Sequence, residues 1–331
     1  MITPSYSLTA TERILPRLAL DFTTATLDSR VTLTRSGNTA TVIDSSGVIA
    51  LVNANLPRFD YNPTTLVCRG LLIEESRANA LLNSLIDGTS LATQSVTVTA
   101  AARTLSFYGT GQIVLSGAAS ATVTGTGAYP TRTTLTFTPS AGSLTLTVTG
   151  TVQFAQLELG SFATSFIPTA GSAVTRNADN ASMTGTNFSD WFNASQGAFA
   201  AWFTPDSTVA TNTRVFNVSQ AGSGNTVGRL SDVFSSGTTW FSFNGSTNVT
   251  CGAAAVTSAQ QKLTSAYAAG SYAANLNGGT GGTASSATLN TPDRITLGAL
   301  SSTTGFLNGR IQKILYWPQR ITNAEVQAFS K

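Results

Sequence analysis

Residues 135–148 read LTFTPSAGSLTLTV: Leu135-Thr136-Phe137, a break at Pro139-Ser140-Ala141-Gly142, then Leu144-Thr145-Leu146-Thr147-Val148. Strict alternation of apolar and hydroxyl side chains sorts them onto opposite faces of an extended chain, because successive Cβ atoms of a strand point to opposite sides. The break carries Pro and Gly, which supply the backbone angles of a turn. The stretch therefore predicts two strands joined by a short connection, with Leu, Phe and Val turned to a core and Thr to water. The signature extends in both directions. Val96-Thr97-Val98 alternates, while Gly109-Thr110-Gly111, Gly125-Thr126-Gly127 and Gly150 punctuate the chain. Between Asp87 and Glu158 only Arg103 and Arg132 are charged. Short strands at such spacing predict a small antiparallel β-sandwich over 85–172.

The whole chain shares this style. Of 331 residues 54 are Thr, 37 Ser and 29 Gly, and only 10% are charged. Thr favours strands, and Gly and Ser favour turns. This is the composition of an all-β protein of about two domains, not of a helical bundle or a disordered polyelectrolyte. Residues 1–84 are more mixed and hold seven of the 15 acidic residues. There Arg30–Thr34 and Ala40–Ile43 alternate around Ser36-Gly37-Asn38 and predict a hairpin. Ser76–Ser84 places Ala78, Leu81 and Leu82 at helical spacing and predicts a short helix. Residues 160–178, with Gly160, Pro168 and Gly171, read as a connector.

From 173 to 331 a second, larger β-unit follows. Asn-Gly occurs at Asn244-Gly245, Asn277-Gly278 and Asn308-Gly309, a strong hairpin signal because both positions tolerate positive φ. Thr322 and Glu325 form a capping box for one helical turn. All four Trp lie in this unit; Trp202 and Trp317 fall within strands and read as core.

The absence of His removes Ser-His-Asp and Cys-His catalysis and His-ligated zinc. Cys68 and Cys251 form no CxxC, which leaves either one long-range disulfide or two buried thiols. The 15 Arg and three Lys are scattered, with no basic stripe for nucleic acid. No run approaches 18 apolar residues, and the opening Met1-Ile2-Thr3-Pro4-Ser5 carries no basic leader; the expectation is a protein made in a cytoplasm, with no membrane partner. Glu74 and Glu75 are neighbours and face opposite ways on a strand, so they do not flank one glycosidic bond; ion pairs to Arg69 or Arg77 are expected instead. Asp179, Asp190, Asp206, Asp232 and Asp293 are isolated and suggest no metal site. Sugars stack on flat aromatic faces, and Trp240, Tyr267, Tyr272 and Phe306 lie beside turns or strand ends, where a sandwich presents ligand sites; they are the candidate glycan-binding residues, with core packing as their other reading.

Two stretches carry a resemblance. AAGSYAANLNGG (268–279) and ITLGALSSTTGFLNGRIQKILYWPQRITNAEVQAF (295–329) resemble the closing part of concanavalin A-like, laminin G-like lectin domains. RFDYNPTTLVCRGLLIEESRANALLNS (58–84) and the stretch from Thr134 to Asp179 resemble virion surface proteins of tailed bacteriophages. The resemblance implies two tandem antiparallel β-sandwiches, the first small and jelly-roll-like, the second concanavalin A-like, after an N-terminal attachment and oligomerisation region over 1–84. It implies a non-enzymatic structural protein on the particle surface, made in the bacterial host cytoplasm. Its partners would be itself as a homotrimer, other virion proteins and host-surface glycans held weakly and multivalently, with no cofactor. The alternative is a purely architectural capsid or fibre decoration that binds no sugar.

Overall fold

The alternating runs become strands, all paired antiparallel. The computed structural model describes residues 15–206, 213–220, 230–235, 238–243, 247–250, 257–285 and 291–331, of which 230–250 as backbone alone apart from Val249. Two sandwiches result. In the smaller, Ala121–Thr124, Gln112–Gly117, Gly142–Thr149 and Gln94–Val98 form a four-stranded sheet, and Gly127–Phe137, Arg103–Gly109 and Gln153–Leu159 a three-stranded one. Their inner faces close on Leu105, Phe107, Ile113, Leu144, Leu146 and Leu157, the residues that alternation marks as apolar.

In the larger sandwich one sheet runs Gly282–Ala284, Ser271–Leu276, Gln261–Ala268, Gln196–Pro205, Gly309–Trp317, Cys68–Ile73, Phe59–Tyr61, with Leu18–Asp21 also paired to Gly309–Trp317. The other runs Thr32–Thr34, Asn180–Thr184, Arg294–Leu297, Thr213–Ser219, Leu230–Ser235, Thr238–Phe243, Thr247–Thr250. Ile73, Phe199 and Ile314 from the first pack against Met183, Phe216 and Ile295 from the second. A satellite core under the helix Asn323–Phe329 takes in Trp317, buried, and Trp202, half-buried. The capping box forms as the sequence predicts, with Glu325 N donating to Thr322 Oγ1 at 3.2 Å and Thr322 N to Glu325 Oε2 at 2.7 Å. Asn277 and Gly278 both take positive φ at the end of Ser271–Leu276, as their hairpin requires. Asn244-Gly245 lies outside the described residues.

The order of units differs from the tandem expectation. Residues 18–73 are not a region apart: their strands complete both sheets of the C-terminal sandwich, where Leu18, Leu20, Leu71 and Ile73 find cover in its core. The small sandwich is an insertion. The chain leaves the large sandwich through Arg77–Asn79 and returns through Val174–Arg176, and these two short strands pair with each other as a stem. Two local expectations also give way. Thr32–Thr34 pairs with Asn180–Thr184, and Ala40–Ile43 with Ile49–Val52, because Arg35 between them turns inward to a buried carboxylate. Ser76–Ser84 is not a helix. Asn79 donates to the carbonyls of Ala155 and Ile167 and accepts from the N–H groups of Leu81 and Leu157, which ties this segment to its neighbours in place of an i to i+4 ladder.

Gly70 marks the seam between the early and late strands. It lies at a register shift where Asp60 pairs with Gly70 but Tyr61 with Cys68, at φ +106°. A Cβ there would overlap the Ile311 carbonyl oxygen. Gly70→Ala is expected to lower the unfolding free energy by about 1–3 kcal/mol, read from urea denaturation; an unchanged midpoint would show that the seam has room to give.

Candidate functional site

The junction between the sandwiches is built on buried charge. Asp179 accepts Arg35 Nη1 at 2.8 Å and also holds the Arg58 guanidinium, while Arg58 Nη1 reaches Glu74 Oε2 at 2.7 Å. Glu74 further accepts Ser165 N at 2.7 Å and Ser165 Oγ at 2.6 Å, and Arg176 Nη1 stands 3.4 Å from it. All five ionic side chains are buried. Burial by itself would raise the Glu74 carboxyl, but the charges of Arg176 and Arg58 and the two Ser165 donors outweigh it and hold the group well below the usual carboxylate range. Glu75, on the opposite face, pairs with Arg77 at 2.6 Å. So one of the expected ion pairs forms, whereas Glu74 takes Arg58 and Arg176, and Arg69 takes Asp60.

Beside this junction a cleft of about 500 Å³ opens between the sandwiches. Its floor is the outer face of Arg103–Gly109 and Gly127–Phe137, where period-two geometry lines up Arg132, Thr134 and Thr136 next to Thr104 and Tyr108. Tyr108 and Tyr129 meet at 5.2 Å between centroids, inclined at 58°, and Phe154 braces both. Tyr129 Oη donates to the Gly47 carbonyl at 2.6 Å, a bond from the insertion to the large sandwich. Burial pushes its phenol up to about 12. Arg132 lies 5.9 Å from the Tyr108 centroid and donates through Nη1 to Thr164 O at 2.7 Å and through Nη2 to Ser106 Oγ at 2.8 Å.

The facing wall belongs to the large sandwich. Thr41, Val42, Ile43 and Ile49 come from the small hairpin, and Asp60, Arg69, Arg310 and Asp206 from the sheet beside it. Asp60 receives both Arg69 and Arg310, and Arg310 also binds Asp206, giving a chain of alternating charge. Burial lowers Arg310, but Asp206 and Asp60 raise it further and keep it cationic. Both carboxylates of this chain are engaged by Arg310.

The sequence-predicted residues do not meet here. Tyr267 and Tyr272 are cross-strand partners that face the core and are buried. Tyr267 Oη lies 2.9 Å from Tyr316 Oη and donates to Asn193 O at 2.7 Å, and burial drives its phenol well above the ordinary value. Neither ring offers a face to a ligand. Phe306, also buried, borders the floor of a separate groove of about 540 Å³ among Arg35, Asn55, Asn177 and Ser302. Trp240 lies in the strand Thr238–Phe243, and its side chain is outside the described residues. Of the isolated aspartates, Asp179 and Asp206 hold arginines and Asp293 pairs with Arg294, while the Asp232 side chain is outside the described residues. Among the described residues no three His, Cys, Asp or Glu side chains are grouped to hold a metal ion, and no helix is long and apolar enough to cross a membrane. Cys68 is half-buried with its thiol pushed up by burial; Cys251 lies outside the described residues. Sequence reading missed Arg132, Tyr108 and Tyr129. The available signal was Arg132 itself, one of two charges in a long uncharged stretch and on the outward phase of its strand.

No described protein family matches the chain, and no curated protein does. Among solved structures, the carbohydrate-binding module CBM40 of the Ruminococcus gnavus IT-sialidase overlaps 42% of this chain and 84% of its own, at 14% identity and a TM-score of 0.37. The NanB sialidase of Streptococcus pneumoniae overlaps 45% of this chain and 26% of its own, at 18% identity and a TM-score of 0.38. A leech intramolecular trans-sialidase overlaps 42% of this chain and 23% of its own, at 12% identity and a TM-score of 0.36. At TM-scores this low the overlaps assign neither a ligand nor an activity to this chain.

The junction sets a pH dependence. Glu74 titrates below its ordinary 4.5 in the folded protein, so its stabilisation is complete above that pH and is lost as pH falls toward the folded value. Glu74→Gln leaves Arg58 and Arg176 short of a partner and is expected to cost about 3–5 kcal/mol at neutral pH. Denaturation of both proteins across pH should show the gap between them narrowing below about pH 4.5; a constant gap would remove Glu74 as the acid-sensitive group.

Proposed function

We propose that this protein is a non-catalytic, surface-displayed virion component that binds host-surface glycans, and that the cleft between its sandwiches is the sugar site. The observation that carries this reading is the combination within one 500 Å³ cleft of the half-buried Tyr129 ring, backed by the buried Tyr108 ring, with planar charged groups and a stripe of threonine hydroxyls. A pyranose has apolar C–H faces that pack on aromatic rings and hydroxyls that pair with carboxylate, guanidinium and hydroxyl groups. Clefts that hold small ligands combine apolar walls with a few fixed polar groups in this way. Because Arg310 engages both Asp60 and Asp206, these carboxylates serve better as fixed hydrogen-bonding groups than as an acid and a nucleophile. The resemblance of residues 58–84 and 134–179 to phage surface proteins supports display on a particle, where repeated copies turn weak single sites into firm adhesion.

A second reading has its own observation. Val48, Leu51, Leu56, Leu66 and Val67 are each about half exposed or more, around the small hairpin and the loop before Cys68. Apolar side chains gathered on that side suit packing against a neighbouring protein, as an architectural decoration would require.

Binding of labelled protein to host cells, before and after periodate oxidation of their surface sugars, separates the two. Saturable binding lost on oxidation, and weakened about three- to tenfold by Tyr129→Ala in a protein that remains folded, is the expected result. Absence of binding by the intact protein would leave the architectural reading.

A further inference from the structure

Three guanidinium groups line the cleft, and two are neutralised inside it: Arg69 by Asp60, Arg310 by Asp60 and Asp206. Arg132 is different. Among the described residues it joins no ion pair, and its two hydrogen-bond partners, Thr164 O and Ser106 Oγ, are neutral. A guanidinium carries five N–H donors in one plane; each Nη of Arg132 spends one here and keeps one. Glu158, the buried carboxylate that attracts it through space, makes no direct contact with it and receives Thr164 N at 2.9 Å, Gln156 Nε2 at 2.7 Å and the Thr164 hydroxyl instead. The cleft thus presents one planar cation with no carboxylate in direct contact, half-buried, 5.9 Å from the Tyr108 ring centroid.

Resting on the reading of the cleft as a glycan site, we infer that its ligand is an acidic saccharide, with Arg132 receiving the oxyanion. The remaining N–H pair of a guanidinium matches the spacing of two oxygens on one carboxylate or phosphate, the geometry in which charge-assisted hydrogen bonds are strongest. Thr134 and Thr136 follow Arg132 on the same face of the strand. From Arg132 to Thr136 the strand covers about 13 Å, so the acidic unit lies at the Arg132 end and its neighbouring hydroxyls run along the threonines. A carboxylate sugar and a polyol-phosphate chain share this chemistry, and the test distinguishes them.

Calorimetry on the full chain would compare an oligogalacturonate, its carboxyl-reduced neutral counterpart and a glycerol-phosphate oligomer, at about 0.05 to 0.5 M salt. The expected result is at least about tenfold tighter binding of one acidic ligand than of the neutral one, with affinity falling as salt rises. The ligand that wins identifies the oxyanion. Arg132→Gln should abolish the preference for the acidic over the neutral ligand, and Arg132→Lys should keep part of it. Equal affinity for acidic and neutral ligands, or a preference that survives Arg132→Gln, overturns the inference and leaves the glycan site standing. Failure of every saccharide to bind overturns both. If Arg132→Gln lowers the melting temperature, the salt dependence of the wild-type protein and the Arg132→Lys result decide.

Discussion

Arg58 is the residue on which the arrangement turns. It comes from the early part of the chain, is fully buried, and is satisfied by two carboxylates that arrive from elsewhere, Glu74 at the exit from the large sandwich and Asp179 at the re-entry. A buried cation without partners costs far more than a folded domain has to spare, so the chain closes only when all three segments are in place. Ser165, from the connector, adds the insertion to the same set through its hydroxyl and N–H. One cluster therefore fixes where the small sandwich sits, and with it the width of the cleft.

The parts legible from sequence are those whose partners lie within one continuous stretch of chain. In the small sandwich every pairing stays within residues 94–159, the farthest joining Arg103 to Leu159, so alternation and glycine punctuation are enough to place its strands in one unit. The large sandwich pairs Leu18 with Tyr316 and Leu71 with Ile311. Nothing local in a four-residue run such as Leu18–Asp21 names a partner at the far end of the chain, and so the first strands read as a separate region. The misread helix and hairpin have one cause: Asn79 and Arg35 are polar residues that bond inward across the junction, and a periodicity count has no way to see their partners. The same holds for the site. Tyr267 and Tyr272 stand beside a turn, but their register places both rings in the core. The cleft draws its two walls from different parts of the chain, and only the strand phase of Arg132, Thr134 and Thr136 foreshadows one of them.

The low charge of the chain sharpens the contrast between core and surface. The strands Gln94–Val98, Ala121–Thr124, Gly127–Phe137 and Gly142–Thr149 of the small sandwich show water a face rich in threonine, which solvates without attracting counter-ions. Much of the charge that exists is gathered at the junction and the cleft, where a lower dielectric gives each group more leverage over its neighbours.

The stem formed by Arg77–Asn79 and Val174–Arg176 brings the entry and exit of the small sandwich side by side. In evolutionary terms the insertion is a cassette. Its ends already meet, its core is its own, and it touches the host through bonds that include those of Ser165, Phe166, Tyr129 and the stem. A lineage can replace it, or vary its outer face, while the large sandwich keeps its strand order. Because only the floor of the cleft travels with the cassette, such exchange changes what is recognised and leaves the opposite wall, and the way the protein is mounted, as they were.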